Sequence, residues 1–313
     1  MTTVTVPDDL VLSGEPFLRR DAMATGFARG ELDALRALGV LRQPLRGVLV
    51  DARAPDTLPL RARSVALVLP DGAAVARRTA AWLYGIDCRG PGERDVVLPA
   101  ECVVPVPAEP LSRAGVRCYQ ARLPADDVCL VAGVPCTTPA RTALDLARFL
   151  PRFMGLGALD AMAHAGLVDP ADLAARIEEW KGDRFVDQAR QLIALCEPRT
   201  ESFGESWTRL RIVDAGFPRP EPQICLPDDD HEVFRIDMGY RKRRVGFEFD
   251  GEEFHSSDEQ RRHDEWRRLE CERRWGWSVT GFVKGHVLGP SMALELAVGE
   301  MLSMTPRISR RAW

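Results

Sequence analysis

The sequence has no long hydrophobic run and no secretory leader. Among its 313 residues, no stretch approaches the roughly 18 consecutive apolar residues that a membrane helix needs. The first residues, MTTVTVPDDL, lack the basic segment followed by an apolar segment that marks a secretory signal. We therefore expect a cytoplasmic protein that has no membrane partner.

The sequence also lacks C-x-x-C cysteine pairs and has few tyrosines. The eight cysteines are scattered singly with no C-x-x-C pair, which argues against structural zinc and favours reduced thiols in the core. Only three tyrosines occur, and no base-stacking motif is visible, so a single-stranded RNA platform is not indicated.

Charge is balanced overall but concentrated in one segment. The net charge of −4 argues against a generally basic coat for nucleic acid. Residues 235 to 274, however, hold eleven basic and eleven acidic side chains, which is more than half of that segment. A basic surface around acids is what a metal-dependent nuclease needs, whereas a helix laced with salt bridges gives the same composition. Both interpretations stay open at this point.

Residues 17 to 53 predict a small winged helix. FLRRDAMATG predicts one helix ending at Gly26, and ARGELDALRALG predicts a second helix ending at Gly39. Three leucines spaced three apart are expected on the inner face of the second helix, namely Leu32, Leu35 and Leu38. VLRQPLRGVLVD then predicts two short strands around Pro44 and Gly47, which have the form of a wing.

Four arginines of this winged helix are candidates for contact with duplex DNA. Arg29 and Arg36 would point outward from the second helix, and Arg42 and Arg46 from the wing, where they could meet phosphates. A protein of this kind would be associated with the nucleoid when bound. Short trihelical segments also serve as protein–protein modules, and that alternative stays open.

Residues 64 to 195 predict a mixed α/β region. DVVLPA and GVRCYQARL have the pattern of strands, and ARRTAAWLYGI that of a helix. TTPARTALDLARFL carries strong helix signals, with Thr138 as N-cap, Pro139 at the first position, and Arg141 paired with Asp145 one turn later. His164 is interpreted as a helix-end histidine rather than a ligand.

The last region follows a break at CEPRTESFGES and predicts the order α-β-β-β-α-β-α. Its long second helix, DEQRRHDEWRRLECERRWG, has Trp266 and Leu269 as its only clear apolar anchors. The sequence as a whole thus predicts an α/β (α+β) chain of three domains, which are residues 1–63, 64–195 and 196–313.

Acidic residues cluster in the stretch RIDMGYRKRRVGFEFDGEEFH, which predicts two strands joined by a basic turn. Asp237 and Glu248 are expected on adjacent antiparallel strands with their carboxylates within roughly 6 Å, and Asp250 shares a face with Glu248. Converging carboxylates repel each other unless a cation neutralises them, and hard oxygen ligands suit Mg²⁺ or Mn²⁺. The alternative is that these acids line the solvated edge of a sheet.

The same stretch supplies candidates for hydrolytic chemistry. Asp237, Glu248 and Asp250 are the candidate metal ligands, and His255 could take a proton from a metal-bound water. Glu205, one turn into the preceding helix, could add a ligand or orient water. On the following helix, Arg267 and Arg268 could grip phosphates while Asp264 aligns one of them or His255, although an ordinary surface ladder of charges has the same spacing.

Residues 200 to 285 resemble the very short patch repair endonuclease branch of the PD-(D/E)xK nuclease superfamily. The matching stretches are GES with Glu205, PEPQ with Gln223, RIDMGY with Asp237, FEFDGEEFH with Glu248, Asp250 and His255, HDEWRRLE with Asp264 and Arg267, and WGWSVTGF. The resemblance implies a restriction-endonuclease-like fold in which Asp237 is the principal metal ligand and His255 the general base. The superfamily pattern places a lysine two residues after the second acid, where this chain has Asp250.

Residues 17 to about 195 resemble the AbiEi antitoxins of type IV toxin–antitoxin systems from actinobacteria. GELDALRALGVLRQPLRGVLVD and GVPCTTPARTALDLAR carry this resemblance. It implies DNA binding and transcriptional autoregulation by the winged helix.

Two functions therefore compete. The first is a Mg²⁺- or Mn²⁺-dependent DNA endonuclease that is targeted by the winged helix and acts in defence against foreign DNA or in repair. The second is a DNA-binding regulator whose nuclease-like domain is catalytically silent. Duplex DNA is the expected partner in both, and a homodimer and a toxin or defence-system partner stay open.

Overall fold

The computed structural model describes residues 14–93, 95–111, 114–226, 234–251, 258–311 and 313, with the backbone alone over 258–265. The chain divides into two compact units, Met1–Leu146 and Ala147–Trp313. Twelve α-helices and three sheets are present in the described residues, so the mixed α/β class is confirmed. The division into three domains stays a prediction.

The first unit begins with a winged helix. Its elements are β1 (Phe17–Leu18), α1 (Arg19–Ala24), α2 (Arg29–Ala37), β2 (Leu41–Leu45) and β3 (Val48–Asp51). The strands form an antiparallel sheet in the order β1-β3-β2, and a small core of buried apolar side chains holds the helices on it.

The apolar pattern of α2 holds for two of the three leucines. Leu32 and Leu35 are buried, but Leu38 is 73% exposed, so its predicted place on the inner face is wrong. The helix ends at Ala37 and Leu38 is its C-cap, so the helical spacing no longer directs its side chain toward the core.

The rest of the first unit contains a five-stranded sheet. Its elements are α3 (Leu58–Ala66), β4 (Ala74–Val75), α4 (Arg77–Leu83), β5 (Ala100–Pro105), β6 (Val116–Ala121), β7 (Val128–Val131), β8 (Val134–Thr137) and α5 (Pro139–Phe149). The strand order is β6-β5-β4-β8-β7, with β5–β6 and β4–β8 parallel. Leu45 and Val48 of the wing share one core with Val65, Val75 and Val134, so the boundary predicted after residue 63 falls inside a continuous core.

One strand prediction in this unit is wrong. DVVLPA, residues 95 to 100, is irregular apart from its last residue, and the strand runs from Ala100 to Pro105 instead. The register explains the shift, because Ala100 is the first residue that pairs with β6, opposite Val116. Val96, Val97 and Leu98 line a cavity rather than a sheet.

The signals for α5 are confirmed. Thr138 Oγ1 accepts a hydrogen bond from the Arg141 backbone N–H at 3.3 Å, as an N-cap should. Arg141 Nε donates to Asp145 Oδ2 at 2.8 Å. Arg141 is only 4% exposed, so this pair is buried rather than on the surface.

The second unit places helices around a four-stranded sheet. Its elements are α6 (Arg152–His164), α7 (Pro170–Arg176), α8 (Val186–Leu195), α9 (Phe203–Asp214), β9 (Glu221–Leu226), β10 (Phe234–Tyr240), β11 (Val245–Phe249), α10 (Asp258–Trp275), β12 (Ser278–Phe282), α11 (Lys284–Leu288) and α12 (Ala293–Leu302). The sheet order is β12-β11-β10-β9, antiparallel except for β11–β12. From α9 onward the elements follow the predicted order, with the short α11 added before the last helix.

The orientation of α10 differs from the prediction. Trp266 and Leu269, the expected apolar anchors, are 57% and 60% exposed, whereas Cys271 is fully buried. Because residues three and four apart share a helix face, Arg267 and Arg268 lie on the same inward face as Cys271. The helix therefore turns two arginines toward the sheet.

Two further expectations concern the cysteine thiols and membrane-spanning helices. All eight cysteines are free thiols, and five of them are buried, in line with the expected core positions. Within the described ranges, no helix is long and apolar enough to cross a membrane.

Candidate functional site

The two central strands of the second unit carry the candidate acids. Strands β10 and β11 are antiparallel, with Met238 opposite Phe247 and Gly239 opposite Gly246. Asp237 lies on β10 and Glu248 on β11. The prediction that these two acids lie on adjacent antiparallel strands is therefore confirmed, and the Phe249 N–H donates to Asp237 Oδ2 at 2.9 Å.

The alternation of side chains along β11 determines which residues Glu248 contacts. Phe247 and Phe249 belong to the core cluster that contains Trp207 of α9. Since neighbouring side chains of a strand point to opposite faces, Glu248 points away from that core, and its contacts are with α10.

Arg268 of α10 bridges two of the acids. Its Nε donates to Glu248 Oε2 at 3.3 Å, and its Nη2 donates to Asp250 Oδ2. The guanidinium is 23% exposed. The contact joins the helix to the sheet, so Arg268 is not part of a surface ladder along α10.

Arg267 adds a second positive charge to the same carboxylate. Its Nη2 lies 3.4 Å from Glu248 Oε1 and donates to the Arg235 carbonyl oxygen at 3.0 Å. The guanidinium also lies over the ring of Phe234, 4.6 Å from its centroid. Both arginines already have partners within the unit. Phosphate binding by Arg267 and Arg268 stays a prediction.

Gly281, for which no role was predicted, leaves space for the contact of Arg268 with Glu248 and Asp250. It lies on β12 opposite Glu248. A Cβ at this position would overlap Asp250 Oδ2 and Arg268 Nη2. A glycine inside a strand pattern often marks such a close approach, so this signal was available in the sequence.

Glu205 and Gln223 form the other end of the cluster. Ser202 caps α9, and Glu205 accepts hydrogen bonds from Ser202 Oγ at 2.8 Å and from Gln223 Nε2 at 2.8 Å. Gln223 has a φ of +48°, a strained value for a non-glycine residue, and its Oε1 is buried without a hydrogen-bond partner. Glu205 therefore acts as a helix-capping acid as well as a candidate site residue.

Three of these carboxyls have raised pKa values. Burial is the main cause for Glu205, Asp237 and Glu248, because removing a carboxylate from water disfavours its charged form. Neighbouring acids add to it: Asp237 raises the pKa of both Glu205 and Glu248, and Asp250 raises that of Asp237. The arginines oppose the rise at Glu248. The four acids thus form one electrostatic group.

This group does not fit a divalent cation as it stands. Among the described side chains, no three from histidine, cysteine, aspartate and glutamate converge so that they could hold a metal ion. The hydrogen bonds of Arg268 occupy oxygens of Glu248 and Asp250, and Asp237 Oδ2 accepts from the backbone. His255 lies outside the described residues, as does the side chain of Asp264, so their predicted roles are not addressed.

The four arginines of the winged helix differ in their surroundings. Arg29 and Arg46 are exposed. Arg36 is 34% exposed and lies 3.8 Å from Asp33, which is held more closely by Arg19 at 2.6 Å. Arg42 donates to the Ala54 carbonyl oxygen at 3.0 Å. Arg29 and Arg46 are thus the most available for an external anion.

The wing is fastened to the rest of the first unit at its tip. The Arg46 N–H donates to the Leu98 carbonyl oxygen at 3.3 Å. A side chain at Gly115 would overlap the Arg46 carbonyl oxygen, so glycine allows this close approach. The wing is therefore held in one position while the Arg46 side chain stays exposed.

A cavity of about 380 Å³ lies behind the wing in the first unit. Its charged lining includes Arg42, Arg61, Arg78 and Arg89. Arg61 binds Asp56, Arg78 binds Glu93 and Glu101, and Arg89 binds Asp87. Three of these four arginines are therefore paired with acids of the same unit.

Comparison with known proteins identifies a domain family within the chain. Residues 51–195 match the model of the AbiEi antitoxin C-terminal domain, and the winged helix comes immediately before this span. The AbiEi part of the resemblance is thereby confirmed. The nuclease resemblance of the following region stays a prediction.

Relatives extend the comparison to most of the chain. The chain is 30% identical over 262 residues to uncharacterized protein MT2308 of Mycobacterium tuberculosis strain CDC 1551 / Oshkosh and to uncharacterized protein Rv2248 of strain ATCC 25618 / H37Rv. The match covers 82% of this chain and 90% of each relative. The chain belongs to the same family as these two mycobacterial proteins.

Proposed function

We propose that this protein is a DNA-binding regulator of the antitoxin type, which contacts duplex DNA through its winged helix and controls its own transcription. The observation that carries the proposal is the arrangement of the first unit. A winged helix at residues 17–51 leads directly into the span that matches the AbiEi antitoxin C-terminal domain. A toxin encoded with it would be its protein partner.

The exposed arginines supply the DNA contact in this proposal. Arg29 begins α2, and Arg46 lies in the turn between the wing strands, so the two flank the winged helix on separate elements. Guanidinium groups bind phosphate oxygens in a fixed fork geometry, which positions a protein on the duplex. Arg36 and Arg42 are secondary contacts, because each already has a partner within the unit.

Salt-dependent binding of the full chain tests the proposal. Fluorescence anisotropy would follow binding of a labelled duplex from the region upstream of the gene, at several salt concentrations. We expect Arg46→Ala and Arg29→Ala each to weaken binding several-fold and to lower the slope of log K against log salt by about one, since each removes one phosphate contact.

Arg117→Ala is the matched control for this experiment. Arg117 is 54% exposed and lies on β6 of the same unit, outside the winged-helix elements. The control should bind as the wild type does. Unchanged binding in both Arg29→Ala and Arg46→Ala would make the winged helix a protein–protein module.

A metal-dependent DNA endonuclease is the second candidate. The specific observation in its favour is that Glu205 and Glu248 are buried and Asp237 is half-buried, all three with raised pKa values beside a strained Gln223, as catalytic groups often are. It would require Glu248 and Asp250 to exchange Arg268 for Mg²⁺ or Mn²⁺.

Cleavage assays separate the two candidates. Purified protein would be incubated with plasmid, single-stranded and mismatched DNA in Mg²⁺, Mn²⁺ or EDTA. The regulator predicts no cleavage of any form. Cleavage that needs metal, is lost in Asp237→Ala and is slowed about 10²–10⁴-fold in His255→Ala would replace the regulator by the endonuclease.

A further inference from the structure

We propose that Arg268 takes the place of a divalent cation in the acidic cluster of the second unit, so that the wild-type protein binds no metal there and loss of Arg268 creates a cation site. This inference concerns the second unit alone and does not depend on DNA binding by the winged helix.

The first argument is the balance of charge. Glu205, Asp237, Glu248 and Asp250 interact with one another, and two arginines of α10 face them. Buried carboxylates need a nearby positive charge, because an unpaired buried ion is strongly destabilising. The guanidinium of Arg268 provides that charge to two carboxylates at once, as a bridging metal ion would.

The second argument is the orientation of α10. A helix ordinarily turns its largest apolar side chains inward, but here Trp266 and Leu269 are mostly exposed. Arg267 and Arg268 occupy the inward positions. They contact Glu248 of β11 and Asp250, the residue after the strand ends, which carry the only carboxylates of that segment. The charged contacts of Arg267 and Arg268 therefore lie on the same inward face of α10 as the buried Cys271.

The third argument is the space provided for the bridge. Gly281 on the neighbouring parallel strand leaves no Cβ where Asp250 Oδ2 and Arg268 Nη2 meet. The sheet thus accommodates the ion pair itself, on the side where Glu248 and Asp250 present their oxygens. Without the guanidinium, the same place would be bordered by carboxylate oxygens.

A site of that kind has a definite ligand class. Carboxylate oxygens are hard donors that prefer Mg²⁺, Mn²⁺ or Ca²⁺ to softer metals. In Arg268→Gln, the oxygens of Glu248 and Asp250 lose their shared donor while Asp237 remains beside them. A divalent cation would restore the lost neutralisation.

Mn²⁺ binding to the full-length protein tests the inference. Electron paramagnetic resonance measures free Mn²⁺ during titration with MnCl₂, and thermal unfolding is recorded in MnCl₂ and in EDTA. We expect Arg268→Gln to take up one equivalent of Mn²⁺ and to gain about 3 °C or more in Tm when free Mn²⁺ is tenfold above its Kd. The wild type should show neither response.

Two further variants locate the response. Arg273→Gln removes a 74% exposed arginine of the same helix, whose partner is Glu270, and should behave as the wild type. Asp250→Asn combined with Arg268→Gln removes one of the oxygens that Arg268 contacts, and should lose the Mn²⁺ response of the single variant.

The outcomes that would overturn the inference are specific. Mn²⁺ uptake by the wild type that Asp250→Asn abolishes would show a native metal site. Absence of uptake by Arg268→Gln would show that Arg268 is an ordinary ion-pair partner. If Arg268→Gln does not fold in EDTA, far-UV circular dichroism in MnCl₂ decides: folding restored by Mn²⁺ supports the inference, and failure to fold in Mn²⁺ overturns it.

Discussion

Each unit of the molecule contains an arginine that bridges two carboxylates, and the two clusters differ in how completely their charges are matched. In the first unit, Arg141 contacts Asp145 at 2.8 Å and Asp127 at 2.6 Å, and all three residues are nearly inaccessible to solvent. In the second unit, Arg268 bridges Glu248 and Asp250 while 23% exposed, and Asp237 stands beside them.

The difference separates a fully buried cluster from a partly exposed one whose acids keep raised pKa values. Burial alone would lower the pKa of Arg141, but the neighbouring Asp145 and Asp127 raise it by more. The pKa of the guanidinium therefore lies above its ordinary value, and the group stays charged. Arg141 also donates to the Arg122 carbonyl oxygen, which ties α5 to a preceding loop. In the second cluster, the pKa values of Glu248 and Asp237 stay raised despite the arginines. Acids whose pKa values are raised by burial and by neighbouring acids are typical of a binding or catalytic region.

Arg141→Gln should have the largest effect on stability. It removes the guanidinium that contacts two buried carboxylates, so we expect a loss of about 3–5 kcal/mol in the free energy of unfolding. Urea unfolding of the full chain, followed by far-UV circular dichroism, measures the loss. A loss under about 1 kcal/mol, the usual size for an ordinary substitution, would mean that the Arg141 cluster contributes no more to stability than the Arg268 cluster does.

Gly281→Ala should have a smaller effect that is confined to the second cluster. The added methyl group displaces the ends of two flexible side chains, Asp250 and Arg268, so we expect a loss of about 1 kcal/mol. Gly251→Ala is the matched control, because no atom of the described residues beyond its chain neighbours lies within 4 Å of a Cβ at that position. Equal stability of the two variants would argue against a tight bridge.

Asp237→Asn should show a stability difference that depends on pH. A carboxyl whose pKa is raised by folding binds its proton more tightly in the folded state, so its contribution to stability is lost as pH rises from the ordinary carboxyl range through the raised pKa. The asparagine variant does not titrate and can still accept from the Phe249 N–H. Its stability relative to the wild type should therefore increase from pH 4 to pH 7.

Thermal unfolding of both proteins across this range measures the difference. A stability difference that stays constant with pH would contradict the raised pKa of Asp237.

Arg273→Gln should have the smallest effect. Its ion pair with Glu270, at 2.8 Å, joins two positions of one exposed helix face, and such pairs contribute little in water. We expect a Tm indistinguishable from that of the wild type. A clear drop would show that charge on the outer face of α10 matters as much as charge on its inner face.

The sequence by itself determined the elements that depend on local signals. Thr138 and Pro139 define the start of α5 because capping and the proline ring act within one turn. The wing strands and the α-β-β-β order from α9 to β11 follow from apolar spacing and turn residues that lie close together in the chain. The placement of Asp237 and Glu248 on adjacent antiparallel strands also follows, since a short turn leaves two strands little other choice.

Only the tertiary structure decided which way the charged helix faces. α10 carries so few apolar residues that periodicity could not identify its inner face, and Trp266 and Leu269 indicated the wrong one. Arg268 meets Glu248 and Asp250 from about twenty residues away in the chain, through a space that exists because Gly281 lies on a parallel neighbour. Such contacts depend on charges and volumes brought together by the fold, and a glycine in a strand pattern indicates a close approach without showing which side chains make it.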